Sequence, residues 1–177
     1  MTRIPFWLLA IIAVVLGVSG DRAVSAQDKY TVQVPNGLAF SEFRGFEAWQ
    51  TVAVSQSGDK IEVILGNPAM IDAYQAGVPG DGKPFPDGAK MAKIHWNAKQ
   101  SAEAPAPTTV PGTLHDIDFM EKDSKKFSDT GGWGYAQFNY DAASDTFTPL
   151  GTGAACGYTC HTIVKAKDYV FTAYGKR

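Results

Sequence analysis

The residues best suited to chemistry stand together near the end of the chain. Its only two cysteines are Cys156 and Cys160, and His161 directly follows the second one. In covalent haem sites, two thiols bond to the porphyrin vinyl groups and the adjoining histidine binds iron, usually with two residues between the cysteines. Here three residues separate them, so the extra residue must bulge, which the flexible Gly157 eases. The motif predicts one haem c, attached through Cys156 and Cys160, with His161 as the iron ligand.

Three other interpretations of the cysteine pair are open. The pair could form a local disulfide, a redox dithiol or half of a zinc site. None of these requires the histidine next to Cys160. A structural zinc site would also need more soft ligands, and the remaining histidines are His95 and His115. Haem attachment is favoured because it accounts for all three residues of the motif.

The first 26 residues have the pattern of a secretory signal. Arg3 is followed by an apolar run over residues 4–18, and residues 24–26 are small enough for cleavage. Residues 1–26 are therefore predicted to be a signal peptide and residues 27–177 a single domain. The apolar run is shorter than the about 20 residues that span a bilayer, so a cleaved signal is favoured over an uncleaved membrane anchor. No membrane association is expected after cleavage. Because bacterial haem c is attached after export, the predicted location is the periplasm.

The charge balance argues against polyanionic partners. The chain has 16 basic and 18 acidic residues, with a net charge of −2. A nucleic acid or an anionic membrane surface attracts a clearly basic protein or a basic patch. The densest run of charge, residues 121–126, mixes both signs and is interpreted as a solvated segment.

Hydrophobic periodicity predicts an α+β fold. Aromatic residues at positions 40, 43, 46 and 49 recur every three residues, as on one face of a short helix that packs into the core. Asn67 and Pro68 begin another short helix, which ends before Gly77. Alternating residues predict a mainly antiparallel sheet of about five strands, at 51–55, 60–65, 90–96, 113–120 and 133–140, with a turn into residues 146–148. In the strand at 90–96, Met91, Lys93 and His95 share one face.

Several segments, taken in order, resemble the cytochrome P-460 and cytochrome c'-beta family. They are residues 63–67, residues 86–88 with Lys93 five residues on, residues 122–127, Trp133 and the haem motif at 156–161. The resemblance runs from the aromatic segment ending at Trp49 to residue 172. It implies a periplasmic homodimer in which a mainly antiparallel sheet holds one haem c, with a five-coordinate iron and an open distal side.

The resemblance also implies a role for Lys93. In the P-460 branch a lysine is covalently bonded to the porphyrin edge and the haem oxidises hydroxylamine, and Lys93 stands at the matching position. From the residues alone, the alternative is a lysine whose amine reaches the haem edge or a propionate without a covalent bond. Trp133 and Phe43 are expected to be core residues whose rings also wall the haem.

The chain departs from the family at the proton acceptor that hydroxylamine oxidation requires. Residues 148–155, directly before the motif, contain no acidic residue. The base would have to come from elsewhere in the chain, and the candidates are Glu47, Asp116 and His95. The three-residue gap between the cysteines is a second departure from the usual spacing.

These observations leave three functions open. The leading one is an oxidoreductase that acts on hydroxylamine and passes electrons to an acceptor cytochrome. The alternative, a binding protein rather than an enzyme, would capture nitric oxide or carbon monoxide at the open iron. The third is an electron carrier with a sulfur ligand opposite His161, from Met70, Met91 or Met120.

Overall fold

The computed structural model describes residues 26–151, 153, 155 and 157–176. Cys156 and the predicted signal peptide, apart from its last residue, lie outside the described residues. The described chain contains a six-stranded antiparallel sheet in which strands adjacent in the chain are adjacent in space. The strands are β1 (Gln50–Ser57), β2 (Lys60–Gly66), β3 (Lys90–Gln100), β4 (Thr109–Lys122), β5 (Trp133–Asp141) and β6 (Thr146–Leu150). The α+β class is confirmed, with a sheet of six strands where about five were predicted.

Two short α-helices interrupt this meander. Helix α1 (Pro68–Gln75) begins as predicted, with proline at its first position. The side chain of Asn67 caps it by accepting a hydrogen bond from the N–H of Met70 at 3.0 Å. Helix α2 (Tyr158–His161) is a single turn that carries the end of the haem motif. The described residues also form 3₁₀ helices at Lys29–Thr31, Phe40–Phe43, Phe46–Ala48, Ser128–Thr130 and Thr162–Lys167.

The aromatic segment forms two of these 3₁₀ helices instead of one continuous helix. A 3₁₀ helix has three residues per turn, so a spacing of three keeps the aromatic rings on one face. Gly45 separates the two helices with a φ of +79°, which glycine adopts at little cost. Phe40, Phe43 and Phe46 are buried and contact the ring of Phe119 in β4. This aromatic cluster is the main core and covers one face of the sheet.

The opposite face of the sheet carries a second cluster. Met91, Met120 and Tyr135 are directly opposite one another across β3, β4 and β5. They pack with α1 and with Tyr169 and Val170 from the C-terminal segment. After β6 the chain returns over this face, and α2 packs on β5. Among the described residues, no helix has the length and apolar character needed to cross a membrane.

Candidate functional site

His161 ends α2 and is oriented by the chain that follows it. Its Nδ1 lies 2.6 Å from the backbone oxygen of Tyr169. Because a carbonyl oxygen can only accept, Nδ1 donates the hydrogen and the lone pair stays on Nε2. Burial lowers the pKa of His161; the hydrogen bond to Tyr169 opposes this effect, and the positive charge of Lys93 adds to it. The result is a neutral imidazole with a free Nε2, the form that binds a metal.

The turn that presents the Tyr169 oxygen is held by a buried ion pair. Asp168 and Tyr169 both have positive φ angles, of +48° and +64°. The carboxylate of Asp168 accepts hydrogen bonds from Lys122 Nζ at 2.8 and 3.0 Å and from the N–H of Phe85 at 2.8 Å. Lys122 is only 5% exposed. The interpretation of residues 121–126 as solvated is therefore wrong for Lys122, which the alternation of β4 places on the same face as Met120.

Gly157 allows α2 to lie directly on β5. Its φ of −93° and ψ of −8° are open to every residue type, so its conformational freedom is not what the structure uses. A Cβ atom at Gly157 would lie 2.8 Å from Cδ1 of Tyr135, which is closer than real contacts permit. The absence of a side chain therefore brings the His161 ring to 4.9 Å from the ring of Tyr135, measured between centroids.

Two cavities adjoin His161 on this face. The first, of about 320 Å³, has polar residues from β1 to β4 and from the C-terminal segment, namely Ser55, Glu62, Lys93, Asp118 and Thr172. Its apolar residues are Ile64, Met91, Met120, Val170 and Phe171. The second, of about 230 Å³, is lined by Asp118, Tyr135, Ala136, Gln137, Gly157 and Cys160. His161 and Asp118 belong to both. The register places Lys93 opposite Asp118, and Asp118 opposite Gln137. The five neighbouring strands β1 to β5, α2 and the C-terminal segment therefore build the site.

Lys93 lies in the first cavity, on the same strand face as Met91, as predicted. Its Nζ is 3.0 Å from Oε2 of Glu62 on β2, and its side chain is 34% exposed. Burial raises the pKa of Glu62, but hydrogen bonds from Lys93 and Ser55 outweigh this and leave that pKa lowered. The amine at the cavity wall is thus held by an ion pair with a carboxylate.

Two buried polar atoms beside His161 lack partners. Oδ1 of Asp118 and the hydroxyl of Tyr135 have no hydrogen-bond partner among the described residues. Burial raises the pKa of Asp118 to about 6, and the negative charges of Asp116 and Glu62 add to this while His95 and Lys93 oppose it. Burial also raises the pKa of Tyr135 far above its ordinary value, so its hydroxyl stays protonated. Unpaired buried polar atoms are costly, so these two atoms suit a site in which a ligand or water pairs with them.

The other residues predicted for cofactor binding occupy different places. Cys160 is exposed on α2 and lines the second cavity. Trp133 is fully buried and packs edge-on against Phe85 at 6.0 Å, so its predicted core role is confirmed. Phe43 is also a core residue, but it stacks on Phe119 at 4.1 Å in the aromatic cluster on the opposite face of the sheet. The structure therefore does not bring Phe43 to His161, and Trp133 is not among the residues that line the two cavities.

The candidate bases and the candidate sulfur ligands do not all lie beside His161. Glu47 forms an ion pair with Lys29, away from both cavities. His95 and Asp116 are hydrogen bonded to each other, next to the first cavity but not in its lining. Met91 and Met120 line the first cavity with His161, whereas Met70 is fully buried in α1 and does not.

A comparison with protein families identifies the family to which this chain belongs. The family model described as Cytochrome P460 matches residues 43–172. The chain belongs to the cytochrome P460 family. A search of curated proteins found no match. The family match covers nearly the same segment as the resemblance found in the sequence. Membership in the cytochrome P460 family implies a haem cofactor with its iron.

The residues around His161 suit the haem of a cytochrome P460 protein. His161 offers a neutral nitrogen, Cys160 offers an exposed thiol one residue away, and the adjoining cavity has an apolar part formed by Met91 and Met120. The unpaired atoms of Asp118 and Tyr135 supply an acceptor and a donor for a polar ligand in the second cavity. A porphyrin needs such an apolar, partly polar surround beside its axial ligand.

Sequence reasoning missed three residues of this site: Glu62, Asp118 and Tyr135. Each stands in an alternating strand, where a polar residue is ordinarily solvent-facing. Met91 and Lys93 were already placed on one face of their strand, so the signal that could have found the three residues is which side chains of β2, β4 and β5 share that face. Finding those neighbours requires the strand register, which the sequence alone left undetermined.

Proposed function

We propose that this protein is an exported haem c oxidoreductase that oxidises hydroxylamine. The observation that carries the proposal is that His161, Lys93 and Asp118 line one cavity. In this proposal Cys156 and Cys160 hold the haem by thioether bonds and His161 binds the iron through Nε2. The haem, when bound, supplies an iron that accepts electrons from the nitrogen of the substrate.

Asp118 is the proposed proton acceptor. Each oxidation of hydroxylamine releases protons as well as electrons, and a carboxylate with a pKa of about 6 is ionised near neutral pH while remaining basic enough to accept one. Its unpaired Oδ1 is available for this contact. Tyr135, protonated and also unpaired, can donate a hydrogen bond that orients the bound molecule. Asp118 is thus proposed as the base ahead of the three unranked candidates Glu47, Asp116 and His95.

Lys93 is proposed to form a covalent bond to the porphyrin edge. Its amine is already at the cavity wall, where Glu62 can receive the ammonium proton that must leave before the nitrogen can form a new bond. The C–N bond would replace one N–H of the neutral amine and one C–H of the porphyrin edge. This is a two-electron oxidation, for which the proposal requires an added oxidant of the peroxide class. A bond to the ring would alter the conjugation of the macrocycle and so its redox reactivity. In the alternative, Lys93 keeps its ion pair with Glu62 and forms no bond to the porphyrin.

Changing Lys93 to alanine tests the proposal. We expect the wild-type ferrous protein to absorb at longer wavelength than an ordinary haem c protein, and Lys93→Ala to return to the ordinary spectrum with both thioethers intact by peptide mass. Hydroxylamine oxidation should fall far more than nitric oxide binding. The matched control is Lys90→Ala, on the same strand but paired with Glu121, which does not line either cavity. Identical spectra and masses in wild type and Lys93→Ala, with no hydroxylamine oxidation by either, would contradict the proposal.

One observation favours a second function, the capture of nitric oxide or carbon monoxide. The first cavity has an apolar side made by Ile64, Met91, Met120, Val170 and Phe171. A diatomic gas needs only an open iron with apolar surroundings and no base. Wild-type protein that binds these gases tightly but leaves hydroxylamine unchanged would assign this function instead.

A further inference from the structure

We propose that Glu62, His95, Asp116 and His115 form a proton-transfer path from the cavity beside His161 to the solvent. The inference rests on the proposed function, because a reaction that removes protons from its substrate must deliver them to water. Glu62 lines the cavity, whereas His95, Asp116 and His115 lie outside its lining and act through Glu62.

The inner end of the path is a carboxylate in the cavity wall. Glu62 lines the first cavity together with Lys93 and Asp118. Its Oε2 is 3.0 Å from Lys93 Nζ and its Oε1 is 3.5 Å from Nε2 of His95. Asp118 is also close, with Oδ2 4.0 Å from Nδ1 of His95. A proton on Glu62 is therefore one step from Nε2 of His95. A proton accepted by Asp118 first reaches Glu62 through water in the cavity that both residues line.

The middle of the path leads away from the cavity. The Nδ1 atom of His95 contacts Oδ1 of Asp116, and Oδ2 of the same carboxylate contacts Nδ1 of His115. His95 is 9% exposed and Asp116 is 4% exposed. The side chain of His115, in contrast, is 46% exposed. The contacts thus run continuously from buried groups to a histidine at the surface.

A β-bulge makes this arrangement possible. In the pairing of β3 with β4, His95 is opposite Asp116 and Trp96 is opposite Leu114. His115 therefore has no residue opposite it on β3. In a regular strand, consecutive side chains point to opposite faces, so His115 and Asp116 could not share a hydrogen bond on one face. The extra residue of a bulge locally removes this alternation. The bulge therefore allows an exposed histidine to reach a buried carboxylate.

Every member of the path can take up a proton at one atom and release one from another. His95 accepts at Nε2 and releases from Nδ1, whereas His115 accepts at Nδ1 and releases from Nε2. A carboxylate exchanges its two oxygens by a half-turn about its Cβ–Cγ or Cγ–Cδ bond. A proton that passes from Glu62 to His95 displaces the Nδ1 proton of His95 to Asp116, and Asp116 passes it to His115. His115 releases a proton to water. One proton leaves for each that enters, so no charge accumulates in the chain.

The first experiment measures proton exchange without any substrate. In reduced holoprotein with carbon monoxide bound, NMR gives the rate at which the ring N–H proton of His95 exchanges with water. We expect His115→Gln and Asp116→Asn to slow this exchange about tenfold, because they interrupt the path. The control is Asp59→Asn, which removes a charge that acts on His115 from outside the path.

The second experiment measures turnover in weakly buffered solution. We expect His115→Gln to lower kcat for hydroxylamine oxidation about tenfold and to leave KM unchanged, and added phosphate, a mobile base, to restore the rate. A loss of structure would not be repaired by a buffer. Retention of the haem spectrum in both variants shows that the site itself is intact.

The outcomes separate the path from the proposed function. An exchange rate unchanged in both path variants, or lowered equally in Asp59→Asn, overturns the path. Slowed exchange in both path variants, together with a wild-type protein that does not oxidise hydroxylamine, leaves the path standing and contradicts the function. The ligand atoms of His95, Asp116 and Asp118 lie within 4.8 Å of one another. Metal analysis that finds an ion bound there, besides the haem iron, also overturns the path, because the ion would block it.

Discussion

At the scale of single residues, Asp118 determines how the proposed reaction should depend on pH. Its ordinary pKa of 3.8 is raised by burial to about 6. A carboxyl group accepts protons only when ionised, so hydroxylamine oxidation should fall as the pH decreases through about 6. Asp118→Asn should lose this step and about 100-fold of the rate, the usual contribution of a general base. The measurement is kcat/KM between pH 5 and 8.

Two comparisons make this measurement specific to Asp118. Hydroxylamine itself titrates in the same range, so a step that persists in Asp118→Asn belongs to the substrate. Gln137, opposite Asp118 in the second cavity, cannot titrate, so Gln137→Ala should keep the step. An unchanged rate and profile in Asp118→Asn would show that another group accepts the proton.

The methionines give a second residue-scale prediction. Of the three candidate methionines, Met91 and Met120 line the cavity beside His161, where a sulfur ligand could reach the iron, and Met70 does not. If the distal position is open, as proposed, Met91→Leu and Met120→Leu should leave the near-infrared and visible coordination bands unchanged. Met70→Leu is the control, because Met70 is fully buried in α1. Loss of a methionine–iron charge-transfer band in either cavity variant would favour the electron carrier.

At the scale of elements, the seating of α2 on β5 positions the axial histidine. Gly157→Ala places a methyl group 2.8 Å from the Tyr135 ring, so α2 must move away from the sheet. We expect the free energy of unfolding to fall by about 1–3 kcal/mol, as in other overpacked sites, together with a smaller fraction of haem-loaded protein. Denaturant unfolding and haem absorbance per protein measure both. Gly175→Ala, where the new methyl group meets no atom within 4 Å, should be neutral.

At the scale of the whole molecule, the chain is predicted to lose its signal peptide, to bind one covalent haem and to form a homodimer. Protein made with a bacterial haem-attachment system should have the intact mass of residues 27–177 plus one haem, and it should stain for haem after denaturing electrophoresis. Sedimentation should give twice that mass, since a homodimer is predicted. Haem that is lost on denaturation would contradict covalent attachment through Cys156 and Cys160, and a retained N-terminal segment would contradict cleavage before Gln27.

The sequence by itself determined the features that depend on neighbouring residues. The Cys–His motif, the cap of α1 at Asn67 and the alternation that places Met91 and Lys93 on one face are all set within a few positions. Local alternation also predicted five of the six strands, and the sixth follows the predicted turn into residues 146–148. The aromatic spacing correctly placed Phe43 in the core.

Only the tertiary structure decided which of these elements meet. Alternation shows that residues share a face of their strand, but it does not show which face of the sheet receives α2. In the structure, the two 3₁₀ helices of the aromatic segment cover the face opposite His161, and Phe43 lies on that face. The pairing of Lys93 with Asp118 depends on a register between positions far apart in the chain, and the contact of His115 with Asp116 depends on one unpaired residue in β4. Such contacts are fixed by the packing of the complete sheet, because a shift of one residue would move every side chain to the other face.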